Sequence, residues 1–169
     1  MKPFLIWRTD WLVGFDELDR QHLSLAGLLN QLFDTLATDT IGTNPVLQGL
    51  LTTLAEETRR HFQDEEICMR ECGYTRLTEH HREHAMLLAE LQELMREIEE
   101  GRKRFTLETL TALKYWQIDH VLNSDKAFAD FLSRSRAKPA GRSALLPYYL
   151  VHRMTVKYGT GEPHTGTER

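Results

Sequence analysis

Apolar residues recur at spacings of three and four along most of this chain, the period of a helix that buries one face, and four such stripes can be traced. The first, over roughly residues 17 to 37, runs Leu18, His22, Leu25, Leu29, Leu32 and Leu36. The second opens with Asn44 as a cap and Pro45 at the first helical position and stops before Gly73, ordinary start and stop chemistry for a helix. Its stripe is Leu47, Leu50, Leu54, Thr58, His61, Glu65, Cys68 and Cys72. The third follows Gly73-Tyr74-Thr75, ends at Gly101 and aligns Leu77, His80, His84, Leu87, Leu91, Leu94 and Ile98. The fourth starts with Thr106 as cap, runs to about Ser133 and presents Leu110, Leu113, Trp116 and His120. Helices of this length on short connections pack as antiparallel neighbours, so the expected fold is all-α, an up-down-up-down antiparallel four-helix bundle with a C-terminal extension.

The fourth stripe breaks its own period. Asp125 follows His120 by five residues, about 140° around an ideal helix, yet the apolar pattern resumes in phase with Asp125 at Phe128 and Leu132. One inserted residue, accommodated as a π-bulge near residues 120 to 125, restores the register, and such bulges are frequent at functional sites.

Length and composition narrow the reading without redirecting it. With 169 residues, 41% hydrophobic and 27% charged, the chain has the make-up of a globular protein with one core. Residues 1–134 are read as one domain and 135–169 as a separate tail. The net charge of −4 is unevenly spread: residues 1–134 carry 15 Lys and Arg against 23 Asp and Glu, and the tail 6 against 2. An acidic body argues against nucleic-acid binding, and no stretch is apolar enough for a membrane span. Two cysteines and no recognisable leader point to a cytoplasmic protein without a disulfide framework. Within the tail, Leu145, Leu146, Tyr148, Tyr149, Leu150, Val151, Met154 and Val156 form a segment too apolar to stay solvated. Docking on the bundle or across a homo-oligomer is the plainer expectation, and a protein or membrane-surface contact aided by Arg142, Arg153 and Lys157 the sharper one.

The chemistry lies in the polar members of the buried stripes: His22, His61, Glu65, His80, His84, His120 and Asp125. Burying such groups without partners is costly; a metal satisfies imidazole and carboxylate together. His61 with Glu65 and His80 with His84 are i, i+4 pairs, which project side by side from one helix face. Each pair alone is a weak signal, and a solitary His22 on an apolar stripe would read as an ordinary core histidine. The conjunction of one polar layer across all four stripes is what points to metal. Five imidazoles and two carboxylates exceed one tetrahedral zinc and suit two octahedral-leaning irons.

Those residues, together with Trp7 to Asp10, Asp19-Arg20-Gln21-His22, His61-Phe62, Glu66, Met69, Gly73-Tyr74 and Trp116, resemble the pattern of the hemerythrin family, in particular its bacterial single-domain members, over about residues 5 to 133. The resemblance implies a non-haem di-iron centre with an oxo or hydroxo bridge that binds dioxygen reversibly, for storage, delivery or sensing. It assigns His80, His84 and His120 to one iron, His22 and His61 to the other, and Glu65 and Asp125 as bridges. Dioxygen then takes the open position on the second iron. Leu25, Phe62, Trp116 and Val121 are candidates for the apolar walls of that pocket, with plain core packing an equal reading.

Two other classes compete with this one. A ferritin-like di-iron enzyme with peroxide, nitric oxide or oxidase activity uses Glu-x-x-His motifs, and no glutamate here is followed by histidine three positions on; a non-enzyme is therefore expected. A redox- or oxygen-responsive signalling module is the other. His81 lies about 85° from its helix's stripe and is excluded as a ligand. His152 and His164 are read as solvated, Cys68 and Cys72 as small buried residues, and Glu66 as part of a solvated, salt-bridging face.

Overall fold

The computed structural model describes residues 2–38 and 45–136, the side chains of 135 and 136 excepted. The cap at Asn44, the apolar tail segment and His152 and His164 lie outside the described residues. Helix α1 spans Asp16–Thr38, α2 Pro45–Glu71, α3 Leu77–Glu99 and α4 Leu107–His120; a π-turn over Val121–Asp125 leads into α5, Lys126–Arg136. No strand occurs among the described residues.

The helix ends follow from local chemistry. Asp16, Glu17 and Asp19 place negative charge in the first turn of α1, where the helix dipole favours it. Both C-terminal stops are Schellman turns on a glycine in the left-handed region. Gly73 has φ 66°, with Gly73 N–H on the Arg70 carbonyl (3.2 Å) and Tyr74 N–H on the Met69 carbonyl (2.9 Å). Gly101 has φ 69° and repeats the pattern, with bonds to the Ile98 (3.0 Å) and, from Arg102, the Glu97 carbonyl (2.9 Å). A side chain at either position would meet the Cβ penalty that glycine avoids. Thr106 caps α4 by accepting the Thr109 N–H at 3.3 Å.

The Gly73 turn folds α3 back on α2; α2 also packs along α1, and α4, beyond the Gly101 turn, returns to α1, giving the four-helix bundle expected from the stripes. One end of the bundle is filled by Leu29, Leu32, Leu47, Leu51, Leu54, Leu94, Ile98, Phe105 and Leu110. Smaller clusters, Cys68, Met69, Tyr74, Phe128 and Leu132 on one side and Val13, Leu18 and Val121 on the other, close the opposite end. The segment before α1 is strapped across the bundle: Leu5 N–H donates to Asn30 Oδ1 (2.8 Å) and Asn30 Nδ2 returns to the Leu5 carbonyl (2.9 Å), while Phe4 stacks on Phe33 at 4.9 Å. The strap lays Trp7 over His22, ring centroids 5.6 Å apart. Between the apolar ends lies a layer that is buried and polar.

Candidate metal centre

Each helix brings its polar residues to this layer by the spacing that buries its leucines. His22 comes from α1, His61 and Glu65 from α2, His80 and His84 from α3, and His120 from the last turn of α4. Asp125 arrives only through the π-turn, in which Lys126 N–H bonds the Val121 carbonyl, five residues back, so that one extra residue rotates Asp125 under His120. The bulge falls on the residues where the broken period put it. All seven side chains are buried, Glu65 and Asp125 completely, at 0% exposure.

The donor atoms form two groups, Glu65, His80, His84, His120, Asp125 and His22, His61, Asp125, each drawn within 4.8 Å. Asp125 belongs to both: Oδ1 lies 3.1 Å from His120 Nε2 and 3.4 Å from His80 Nε2, and Oδ2 lies 3.1 Å from His22 Nε2. Glu65 Oε2 is 3.1 Å from His80 Nε2 and 3.3 Å from His84 Nε2. Despite this crowding, both Asp125 oxygens and Glu65 Oε1 lack a well-directed hydrogen bond. Imidazole nitrogens also face one another, His22 Nε2 to His61 Nε2 at 3.1 Å and His84 Nε2 to His120 Nε2 at 3.0 Å; each such pair shares at most one proton. Orphaned carboxylate oxygens and converging imidazole lone pairs in a dry interior are what a cation satisfies, and mixed nitrogen and oxygen donors suit a divalent transition metal. The residues present therefore fit the implied metal.

Electrostatics divides the histidines. Burial pulls His22, His80 and His120 downward, but neighbouring carboxylates outweigh it, Asp125 first, raising them to about 9, 9 and 10. His61 and His84 go the other way: burial, then the charge of His22 in one case and of His120 and His80 in the other, lowers both to about 3. Asp125, although buried, is held well below the usual carboxylate range by His120, His22 and His80.

A second layer holds the rings in place. His61 Nδ1 donates to Gln21 Oε1 (3.0 Å), whose Nε2 in turn donates to Asp64 (2.9 Å) and Glu17 (3.2 Å). His84 Nδ1 meets Glu66 Oε1 at 2.9 Å, and His120 Nδ1 meets Glu83 Oε1 at 2.7 Å, with Ser124 Oγ donating to Glu83 Oε2 at 2.6 Å. The hydrogen bond from His120 lowers Glu83 to about 2. Glu66 is thus a correction to the expectation of a solvated face: its side chain is 15% exposed and clasps buried His84 and surface His81 together. His81, 63% exposed, is no part of either donor group. The stripes alone do not mark Gln21, Glu66 and Glu83 as ring-holding residues, although each buried imidazole demands a partner for its second nitrogen, and that demand is the available signal.

The four expected pocket residues contribute to different packing groups. Phe62 lies at the centre, stacked on His84 at 3.7 Å and tilted against His61, His120 and Trp116. Leu25 packs in the large apolar cluster and Val121 in the small one with Val13 and Leu18; Trp116 is half-buried. Cys68 is buried and Cys72 partly so.

Fold and site together define a class, four-helix bundles whose interior carries histidine and carboxylate donors able to hold metal ions. Residues 13–132 match the family model described as the Hemerythrin HHE cation binding domain, and the chain belongs to that family. It is 28% identical over 126 residues to a bacteriohemerythrin of Stenotrophomonas maltophilia, covering 75% of this chain and 80% of that one. It is 29% identical over 121 residues to a bacteriohemerythrin of Methylococcus capsulatus (72% and 88% covered), and 23% identical over 120 residues to a myohemerythrin of Riftia pachyptila (71% and 87%). Among solved structures, wild-type hemerythrin superposes with a TM-score of 0.69 at 23% identity, over 75% of this chain and 96% of that one, which establishes the fold. No helix among the described residues is long and apolar enough to cross a membrane.

Proposed function

We propose that this chain binds dioxygen reversibly at a non-haem di-iron centre. The observation that carries the reading is the pair of donor groups joined through Asp125, one of five residues and one of three. His80, His84 and His120 would hold one iron, His22 and His61 the other, with Glu65 and Asp125 spanning the two. The group with fewer protein donors is the one left with a position open to an exogenous ligand. When bound, two ferrous ions supply the electrons that dioxygen borrows and returns.

The chain's own residues favour return over consumption. Phe62 lies flat on His84 and against His61 and His120, and with Leu25, Trp116 and Val121 it would line the dry side of the centre, excluding water and external reductants. Gln21, Glu66 and Glu83 hold the rings of His61, His84 and His120 at a set angle. Five imidazoles against two carboxylates favour ferrous iron more than a carboxylate-rich enzyme site does, and the relatives named bacteriohemerythrin and myohemerythrin are consistent with a binder.

Stopped-flow mixing of the reduced, iron-loaded protein with air-saturated buffer tests this. A binder gives a stable optical spectrum that reverses on removal of oxygen. Rapid decay with release of a product would replace this reading with a di-iron enzyme.

A further inference from the structure

The two donor groups differ in what stands behind their imidazoles. Around the five-residue group, two rings are backed by carboxylates: His84 by Glu66 at 2.9 Å and His120 by Glu83 at 2.7 Å. Around the three-residue group no carboxylate among the described residues comes within hydrogen-bond distance of a ring's Nδ1. His61 is backed by the uncharged Gln21 amide, whose orientation is fixed because its nitrogen donates to Asp64 and Glu17 and so turns its oxygen to the ring. His22 Nδ1 has no hydrogen-bond partner among the described residues. The nearest carboxylate, Asp19 Oδ1 at 3.9 Å, is turned to the backbone, where Asp19 accepts from Val13 and Gly14 N–H.

We propose that Glu66 and Glu83 are positioning residues that make the two metal positions electronically unequal, favouring the higher-charged ion at the position held by His80, His84 and His120. The inference rests on the di-iron reading above. A carboxylate that accepts from Nδ1–H draws that proton toward itself and leaves the opposite Nε2 a stronger electron donor; a neutral amide does this far less. Two such anions hydrogen-bonded to rings at one ion, against the single Asp19 carboxylate 3.9 Å from His22 at the other, set a difference that the shared Asp125 does not cancel. Their placement lets them stay ionised. Glu83 lines a cleft of about 260 Å³ with His80, Ser124, Asn123 and Glu79, so solvent offsets the cost of its charge, whereas Gln21 sits fully inside the bundle, 4% exposed, where a lone anion would be strongly disfavoured. The π-turn contributes twice, because the register that carries Asp125 under His120 also delivers Ser124 Oγ to Glu83 Oε2.

The test is anaerobic potentiometry of the iron-loaded full chain, with Mössbauer spectra to tell the two ions apart, for the unaltered protein, Glu66→Gln, Glu83→Gln, Ser124→Ala and the surface control Glu93→Gln. In the titration a mediator gives one electron to one ferric ion, which becomes ferrous; no protein bond breaks and the Nδ1 protons stay in place. Each Glu→Gln change is expected to shift the ferric-to-ferrous ratio at one ion about tenfold toward ferrous, equivalent to about 59 mV for one electron, and to leave the other ion unmoved. Glu93→Gln is expected to move neither. Ser124→Ala keeps both charges but removes the donor on Glu83 Oε2, so the more basic Glu83 pulls harder on the His120 Nδ1 proton and the same ion shifts by less and in the opposite direction, toward ferric; where a Gln variant fails to retain iron, this variant decides. Unchanged potentials in variants that bind two irons, or equal shifts at both ions, overturn the inference. An unaltered chain that takes up no iron overturns instead the reading beneath it.

Discussion

The two halves of the bundle interior obey different rules. At the end packed by Leu29, Leu32, Leu47, Leu51 and Leu110, the chain needs only apolar volume at the right period; burial is non-directional, and swaps that conserve volume are tolerated. In the polar layer, the same helical positions carry groups whose nitrogens and oxygens each need a named partner at a set angle. The bundle is therefore stabilised at its apolar ends and gives up stability in the layer between them, where oxygens of Glu65 and Asp125 are buried without a hydrogen bond.

Inserting one alanine after Asn123 breaks this contrast most severely. A second extra residue within Val121–Asp125 exceeds what one π-turn absorbs and rotates Asp125 and Phe128 about 100° off the buried face. We expect loss of all metal uptake, measured by elemental analysis, together with a lowered denaturation midpoint, because Phe128 leaves its stack on Phe15. Asp125→Asn is the purer attack on the polar layer. It removes the charge shared by both donor groups while keeping the shape, and metal affinity should fall on the order of 100-fold or more at both positions, with the helical circular dichroism intact.

The apolar end answers oppositely. Leu32→Ala, at a side chain with 0% exposure, should cost about 2–5 kcal/mol in a denaturant titration and leave metal stoichiometry unchanged. Retained stability with lost metal there would mean the halves are not separable.

Protons compete with metal only in the polar layer. His22, His80 and His120 stay protonated up to about 9, 9 and 10, and a ligating imidazole must be neutral. Metal loading at pH 7 should therefore release protons, detectable with an indicator dye, and affinity should rise as pH increases from 6 to 9, by about tenfold per pH unit for each proton displaced. A flat profile would contradict the assignment of those charges. The smallest effect belongs to the surface. Arg96 and Glu93 are both exposed and bond at 2.6 Å, yet Glu93→Gln should change stability by about 0.5 kcal/mol or less.

Much of this is legible in the chain. Leucine spacing marks the helices to within a few residues, and Gly73 and Gly101 mark the stops because only a left-handed residue closes a Schellman turn cheaply. The phase break between His120 and Asp125 points to the π-turn, since a side chain on the wrong face of an ideal helix implies an inserted residue. Gathering of the polar stripe residues into one layer is also legible, because helices of equal depth bring equal positions together. What stays hidden is angular and long-range. Glu66 reads as solvated because one helix's phase says nothing of the neighbour that reaches across, here His84 from α3.

The central claim is that the seven donors hold two irons that take up dioxygen and release it. Anaerobic titration of the metal-free chain with ferrous ion, followed in the same cuvette by admission and removal of air, tests it most directly. A di-iron oxygen carrier requires an end point of two irons per chain and a charge-transfer band that appears with air and vanishes without it. A protein that stays colourless, or saturates with one iron or none, contradicts it.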